Sequence, residues 1–172
     1  MARHVMDILD RATTAVPPQD KYEVFLYYIK KVEEYYGATK TREVYEKALE
    51  VVPDERVKDI ALRFADLETK LGEIDRARAI YTYASQFCNP QTQITFWKMW
   101  LDFEGRHGNK ETFKEMKRIE RSVQAEFAQV RREMVNVINM INMIVMNVKR
   151  IIILYTFFTY THINSVHSIF SF

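Results

Sequence analysis

The chain repeats one pattern of residues at a nearly fixed interval. A glutamate that follows apolar residues at helical spacing, and precedes a glycine by four residues, occurs three times. The three glutamates lie 35 and 36 residues apart, and so do the three glycines. Ala12, Ala48 and Ala84 keep a second register of 36 residues, and a proline follows each of them. A period in the mid-thirties with helical spacing inside it is typical of a solenoid of helix pairs.

The period predicts an all-α fold, a right-handed α-α solenoid of about three and a half helix pairs over residues 1–133. In each pair an A helix ends at a glycine, and a B helix ends before a proline. The first helix is read as a B helix that lacks its A helix. The predicted helices span residues 3–15, 22–36, 41–52, 54–71, 75–87, 93–106 and 111–127.

Residues that recur once per repeat are expected to hold the helices together rather than to act on a ligand. Glu68 and Arg78 are predicted to form an ion pair between the two helices of one pair. The predicted structural positions are Glu33, Gly37, Arg42, Ala48, Phe64, Glu68, Gly72, Ala77, Arg78, Tyr81, Ala84, Trp97, Trp100, Phe103, Glu104 and Gly108.

The last predicted B helix departs from this pattern. It keeps a narrow apolar face, and its cations form a stripe at spacings of three and four residues. Acidic residues lie between these cations, which favours a solvated surface with ion pairs along it. Contact with an acidic partner or with an RNA backbone is the alternative. The candidate partner-contact residues are Lys114, Lys117, Arg118 and Arg121.

Charge and motif content argue against several functional classes. The chain has 25 basic and 23 acidic residues, and only Lys149 and Arg150 are charged after Glu133, so residues 1–133 carry no net charge. A protein that binds mainly phosphate usually has a basic excess. The chain has no phosphate-binding glycine loop, metal-ligand motif or second cysteine besides Cys88. We therefore expect no catalytic residue, cofactor, metal or small-molecule substrate.

Residues 134–172 have a different composition and are expected to lie outside the repeat fold. They contain no glycine, alanine, proline or acidic residue. The leading hypothesis is translation of non-coding sequence, because AT-rich codons encode most of the residue types present. The alternative is a C-terminal membrane anchor, since residues 151–172 are uncharged and long enough to span a bilayer. Their many Thr, Ser, Asn and His residues make a membrane the less favoured partner.

Several runs of residues resemble a known family. The pattern W-x2-[WY]-x2-[FL]-E-x3-G, followed by A-R-x-[IV]-Y and a later proline, resembles the half-a-TPR (HAT) repeat. Residues 62–90, 96–109 and 118–127 are similar to the C-terminal HAT region of the SYF-type pre-mRNA-splicing factors. That family is much longer than this chain, so the chain is expected to be a fragment that begins within a repeat.

The resemblance implies a non-catalytic protein–protein scaffold in the nucleus, within the spliceosome and the NineTeen-associated complex, with a link to transcription-coupled repair. It implies spliceosomal proteins and other HAT-repeat scaffolds as partners, and only indirect association with RNA. Two rival functions stay open. One is an RNA-binding HAT protein of ribosome biogenesis or 3′-end processing, and the other is a tail-anchored TPR-like adaptor.

Overall fold

The computed structural model describes the backbone of residues 2–169 and the side chains of residues 2–153. No strand occurs in this part of the chain, so the prediction of an all-α fold is confirmed. A 3₁₀ turn, Ala38–Thr41, leads into the third helix. The described α-helices are α1 (Ala2–Ala15), α2 (Pro18–Tyr36), α3 (Arg42–Val51), α4 (Asp54–Lys70), α5 (Ile74–Ser85), α6 (Ile94–His107) and α7 (Lys110–Ile169).

The chain divides into two compact units, Met1–Ala125 and Glu126–Phe172. In the first unit, helices that are neighbours in sequence pack against each other from α1 to α5. Ala48, Ala77 and Ala84 are fully buried in this packing. Small side chains let helix axes approach at the short end of the usual range of about 8–10 Å. Two of the three alanines of the 36-residue register, Ala48 and Ala84, are thus buried between helices, whereas Ala12 is half-buried.

Glycine and proline set the helix ends of the first unit. Gly37 and Gly72 have positive φ angles of 85° and 83°, a conformation that glycine adopts without strain. The amide of Gly72 donates to the Thr69 carbonyl at 3.1 Å, and that of Glu73 to the Glu68 carbonyl at 2.9 Å. This pair of bonds is a Schellman motif, which satisfies the last carbonyls of α4. The chain can therefore turn back at once into α5.

The second unit is described only as the continuation of α7. The prediction that the last helix ends near Phe127 is wrong, since α7 runs on to Ile169. The physical reason is that no glycine or proline follows Gly108 to interrupt the helix. From residue 128 to residue 153 every described side chain is exposed.

The apolar character of α7 extends over much of its length. By length and composition alone, the part Lys110–Ile153 is apolar enough to cross a membrane, and its most apolar window is not buried. Such a helix is weak evidence for a membrane segment. A membrane anchor is the alternative prediction for residues 151–172. The structure describes side chains only as far as Ile153, so most of this segment lies outside them.

Candidate inter-repeat junctions and partner surface

Charged residues that recur at a fixed spacing within the chain join one helix pair to the next. We call the contact between a B helix and the following A helix a junction. At the junction of α3 with α4, Arg42 Nε donates to Glu68 Oε1 at 2.7 Å, and Arg42 Nη2 donates to Glu68 Oε2 at 2.8 Å. This two-pronged geometry is the strongest form of an arginine–carboxylate pair.

The junction of α5 with α6 has the same construction. Arg78 Nε donates to Glu104 Oε1 at 2.8 Å, and Arg78 Nη2 donates to Glu104 Oε2 at 3.4 Å. The indole of Trp100 donates to the same carboxylate at 3.3 Å. Arg78 also contacts Asp75 on its own helix at 2.7 Å. In both junctions the arginine precedes its glutamate by 26 residues.

We call the arginine–glutamate pair of each junction a clamp. Its two side chains differ in their exposure to solvent. The side chains of Glu68 and Glu104 are 0% exposed, whereas those of Arg42 and Arg78 are each 22% exposed. A buried carboxylate is costly unless it is paired and hydrogen-bonded. The hydrogen bond to Glu68 raises the pKa of Arg42, although desolvation opposes the shift. Loss of the arginine would therefore leave a buried charge without a partner, whereas loss of the glutamate would leave an arginine that water can reach.

The predicted ion pair between Glu68 and Arg78 is therefore wrong. Arg78 lies on the side of α5 that meets α6, three residues before Tyr81, whose ring stacks on Trp100. It reaches forward to Glu104 in the next pair, while Glu68 is taken by Arg42 in the preceding pair. The repeated interval of 26 residues was the sequence signal that could have identified these partners.

An aromatic stack accompanies each clamp. The rings of Tyr45 and Phe64 are parallel within 1°, with centroids 4.9 Å apart. The rings of Tyr81 and Trp100 lie within 9° of parallel, with centroids 5.9 Å apart. Each tyrosine follows its arginine by three residues, and each partner ring precedes its glutamate by four. Since such spacings keep side chains on one helix face, clamp and stack form one unit.

The remaining aromatic positions lie in the core beside α6. The rings of Trp97 and Trp100 are 5.5 Å apart, and Tyr81 also meets Phe103 at 5.1 Å. The indole of Trp97 donates to the carbonyl of Cys88 at 2.9 Å. All of these side chains are buried. The structure thus places the large repeat residues in packing roles around the second clamp.

The junction of α1 with α2 lacks the clamp. Met6 and Leu9 stand 36 residues before Arg42 and Tyr45, at the positions of the arginine and the tyrosine. Glu33, the repeat equivalent of Glu68, is exposed and has no ion pair within the described residues. This junction is held by apolar contacts, with Met6 and Ile29 both buried.

Two of the four residues of the basic stripe of α7 stand at the positions that form junctions elsewhere. Lys114 and Lys117 lie 36 residues after Arg78 and Tyr81. Within α7, Lys114 contacts Glu111 at 3.3 Å and Lys117 contacts Glu120 at 2.7 Å. Arg118 contacts Glu115 at 2.6 Å, and Arg121 Nε donates to the Lys117 carbonyl at 3.1 Å. The Lys114–Glu111 and Arg118–Glu115 pairs are exposed, and exposed pairs contribute little to stability.

The start of α7 is fixed by local hydrogen bonds. Asn109 Oδ1 accepts from the amides of Glu111 and Thr112 at 2.8 Å and 3.0 Å, and the Asn109 amide donates to Thr112 Oγ1 at 2.9 Å. This reciprocal cap sets the direction of the helix. Gly108 has an ordinary φ of −93°, but a Cβ there would collide with Glu104 and Thr112. Glycine is needed at this position for space.

The described residues offer little reactive chemistry. They contain no group of three or more His, Cys, Asp or Glu side chains that could hold a metal ion. Cys88 is 0% exposed, and burial raises its pKa to about 12. Because the thiolate is the reactive form, this thiol is inert in the folded chain.

Helix pairs stacked through repeated clamps and aromatic stacks define an α-solenoid, a class of protein whose surfaces bind partners. The family model of the pre-mRNA-splicing factor Syf1/CRNKL1 C-terminal HAT repeat matches residues 1–150. The chain belongs to this family.

Curated relatives show the same relationship. The pre-mRNA-splicing factor SYF1 of Homo sapiens is 57% identical over 127 residues, which are 74% of this chain and 15% of that protein. The syf1 protein of Aspergillus fumigatus is 54% identical, and SYF1 of Dictyostelium discoideum is 50% identical, over the same shares. The chain thus spans about 15% of the length of these relatives.

Proposed function

We propose that this chain is a non-catalytic scaffold segment that binds other proteins of the pre-mRNA-splicing machinery in the nucleus. The observation that carries the proposal is the pair of junctions that an arginine–glutamate clamp holds together. Because Arg42–Glu68 and Arg78–Glu104 stack one helix pair on the next, the pairs form a continuous surface. Membership of a pre-mRNA-splicing-factor family supports splicing as the process in which the chain acts. Other HAT-repeat scaffolds are the expected partners, with RNA bound indirectly.

The basic stripe is the surface on which we expect a partner to dock. Lys114 and Lys117 occupy the register in which Arg78 and Tyr81 receive the next A helix. A lysine in place of the tyrosine exchanges a ring stack for a second positive charge. The matching partner is an amphipathic helix that presents two carboxylates four residues apart to these lysines.

The test is a pull-down from nuclear extract with the immobilised full chain, before and after nuclease treatment, with partners identified by mass spectrometry. A stripe variant carries Lys114→Gln, Lys117→Gln, Arg118→Gln and Arg121→Gln. A control variant carries the same type of change at four exposed cations elsewhere in the first unit, Arg3→Gln, Arg11→Gln, Lys30→Gln and Lys40→Gln.

We expect spliceosomal proteins to be recovered after nuclease treatment and to be lost from the stripe variant but not from the control. Loss of every partner on nuclease treatment would instead support RNA binding, and the captured RNA should then dissociate steeply with added salt. Equal recovery by both variants would show that partners dock elsewhere. Recovery of chaperones alone would contradict a stable scaffold.

We also propose that the repeat array ends near residue 133 and that residues 134–172 do not contribute to it. The exposure of every described side chain from residue 128 to residue 153 supports this proposal, whereas the family match, which reaches residue 150, counts against it. Sequencing of the transcript tests the origin of this segment. A transcript that splices from near residue 130 into a further repeat would support translation of non-coding sequence, whereas one that reads through to Phe172 would contradict it.

A further inference from the structure

Two grooves of equal size lie between successive A helices of the first unit. The Tyr45 groove lies between α2 and α4 and includes Glu33, Tyr45, Arg63 and Asp66. The Tyr81 groove lies between α4 and α6 and includes Asp66, Tyr81, Asp102 and Arg106. Each has a volume of about 210 Å³. Asp66 belongs to both, so the grooves are adjacent.

Each groove contains a tyrosine hydroxyl that the fold does not use. Tyr45 and Tyr81 are only 8% and 6% exposed, because their rings are held in the two junction stacks. No group of the described residues forms a hydrogen bond with either hydroxyl, whereas the hydroxyl of Tyr83 donates to the Leu49 carbonyl. Burial raises the pKa of both groove tyrosines, so both are protonated donors at neutral pH.

Both grooves carry charged side chains of both signs, which stand at different repeat positions. Asp66, which lines both grooves, is paired with Lys70 at 2.6 Å. Glu33 and Arg63 in the Tyr45 groove, and Asp102 and Arg106 in the Tyr81 groove, are exposed and form no ion pair within the described residues. Each groove therefore offers one free carboxylate and one free cation beside a hydroxyl. A nucleic acid would meet these carboxylates unfavourably. A polypeptide can satisfy both signs and the hydroxyl, through its side chains and its backbone amides.

The size of the grooves restricts the form of the ligand. A volume of about 210 Å³ is below the range of about 300–1,000 Å³ that is usual for cofactor and small-molecule pockets. A helix already uses its backbone amides and carbonyls internally, whereas an extended segment has these groups available for the two hydroxyls. Because the grooves share Asp66, one extended segment, which advances about 3.3 Å per residue, can pass from one groove to the other.

We infer that the A-helix face binds an extended polypeptide segment that places hydrogen-bonding groups on Tyr45 and Tyr81 and charged groups beside Arg63 and Asp102. This inference builds on the proposed scaffold function, because it assigns a second partner surface and the form of its ligand. The surface is formed by helices α2, α4 and α6 and is distinct from the basic stripe of α7.

The probe is an array of overlapping 15-residue peptides that tile the pre-mRNA-splicing proteins of one organism, incubated with the full chain. A 20-nucleotide oligouridine RNA serves as the second probe. The test variant carries Tyr45→Phe and Tyr81→Phe, which remove the hydroxyls and keep the rings that stack on Phe64 and Trp100. The control is Tyr83→Phe, the same change on α5 at a hydroxyl that the fold already uses.

We expect selected peptides to bind the chain and the Tyr83→Phe control alike, and to bind the double variant roughly tenfold more weakly. A second variant, Arg63→Gln with Asp102→Asn, should weaken the same peptides. Circular dichroism and the urea midpoint should be unchanged for the double variant, since its hydroxyls form no bond within the described fold.

Three results would overturn the inference: no peptide binding, peptide binding that the double variant retains, or oligouridine binding that the double variant loses. The scaffold proposal is judged separately by the nuclease-treated pull-down. If the full chain recovers spliceosomal proteins there and the double variant recovers them equally, the grooves fail as a site while the scaffold function stands.

Discussion

The junctions at the two ends of α2–α3 use the same repeat positions in different ways. Between α3 and α4, Arg42 clamps a carboxylate, Glu68, that is completely buried. Between α1 and α2, Met6 replaces the arginine and the equivalent glutamate, Glu33, is exposed. A glutamate at one repeat position is therefore buried where the preceding B helix carries an arginine at the facing position, and exposed where that helix carries a methionine. The repeat sets where each helix begins and ends. The presence or absence of an arginine–glutamate clamp distinguishes one junction between helix pairs from the next.

The largest test of this comparison removes the arginine of a closed junction. Arg42→Ala leaves Glu68 buried without its bidentate partner, so we expect the free energy of unfolding to fall by about 3 kcal/mol. Arg63→Ala is the control, because Arg63 is exposed and forms no ion pair within the described residues. Urea denaturation of the full chain at fixed concentration measures both variants. Similar midpoints for the two would contradict a buried clamp.

Removal of the carboxylate should cost less than removal of the arginine. Glu68→Ala leaves Arg42, which is 22% exposed and lies 4.0 Å from Glu73, so its charge can reach water and another carboxylate. We expect a loss of about 2 kcal/mol from the charged hydrogen bonds and the buried volume. Glu33→Ala is the same change at the junction of α1 with α2, which has no clamp. It should alter the free energy of unfolding by less than about 0.5 kcal/mol. An equal loss of stability in Glu68→Ala and Glu33→Ala would contradict the difference between the two junctions.

The sequence predicted the helices better than it predicted their partners. The period of 35 and 36 residues located the helices of the first unit within a few residues, because glycine and proline restrict where a helix can end. The predicted partner of Glu68, Arg78, is wrong, because Arg78 and Arg42 both lie on B helices next to α4 and the sequence does not distinguish them. The choice depends on which face of α3 and α5 meets the next A helix, and that is set by the stacking of Tyr45 and Tyr81.

The candidate surfaces were predicted unequally for a related reason. The stripe of Lys114 to Arg121 is visible in the sequence because its members are close together on one helix. The two grooves combine residues from three helices each, and their free hydroxyls belong to tyrosines whose rings are buried. A pattern of residue types does not reveal which hydrogen-bonding groups the fold leaves unused.

A smaller effect is expected from the two glycines that follow Glu104, the carboxylate of the second clamp. Gly108→Ala places a methyl group against the Glu104 carboxylate and within 2.6 Å of Thr112 Oγ1, so we expect a loss of about 1–2 kcal/mol. Gly105→Ala is the matched control on the same helix, since nothing lies within 4 Å of its added Cβ. Alanine there should stabilise the chain by about 0.5–1 kcal/mol. Urea midpoints that shift in the same direction would contradict the crowding of Gly108.

The smallest effect is a dependence of stability on alkaline pH at Cys88, beside the second junction. Burial raises the pKa of this thiol from 9.0 to about 12 in the folded chain. A folded pKa above the unfolded value stabilises the fold fully below pH 9, and this contribution is lost as the pH rises from about 9 to about 12. Between pH 9 and pH 10 we expect a loss of roughly 1 kcal/mol. Cys88→Ala removes this term while other titrating groups remain, so the difference between wild type and variant isolates it. If urea unfolding gives the same pH slope for both chains, or if a disulfide reagent labels the native thiol rapidly at pH 8, Cys88 is not buried as described.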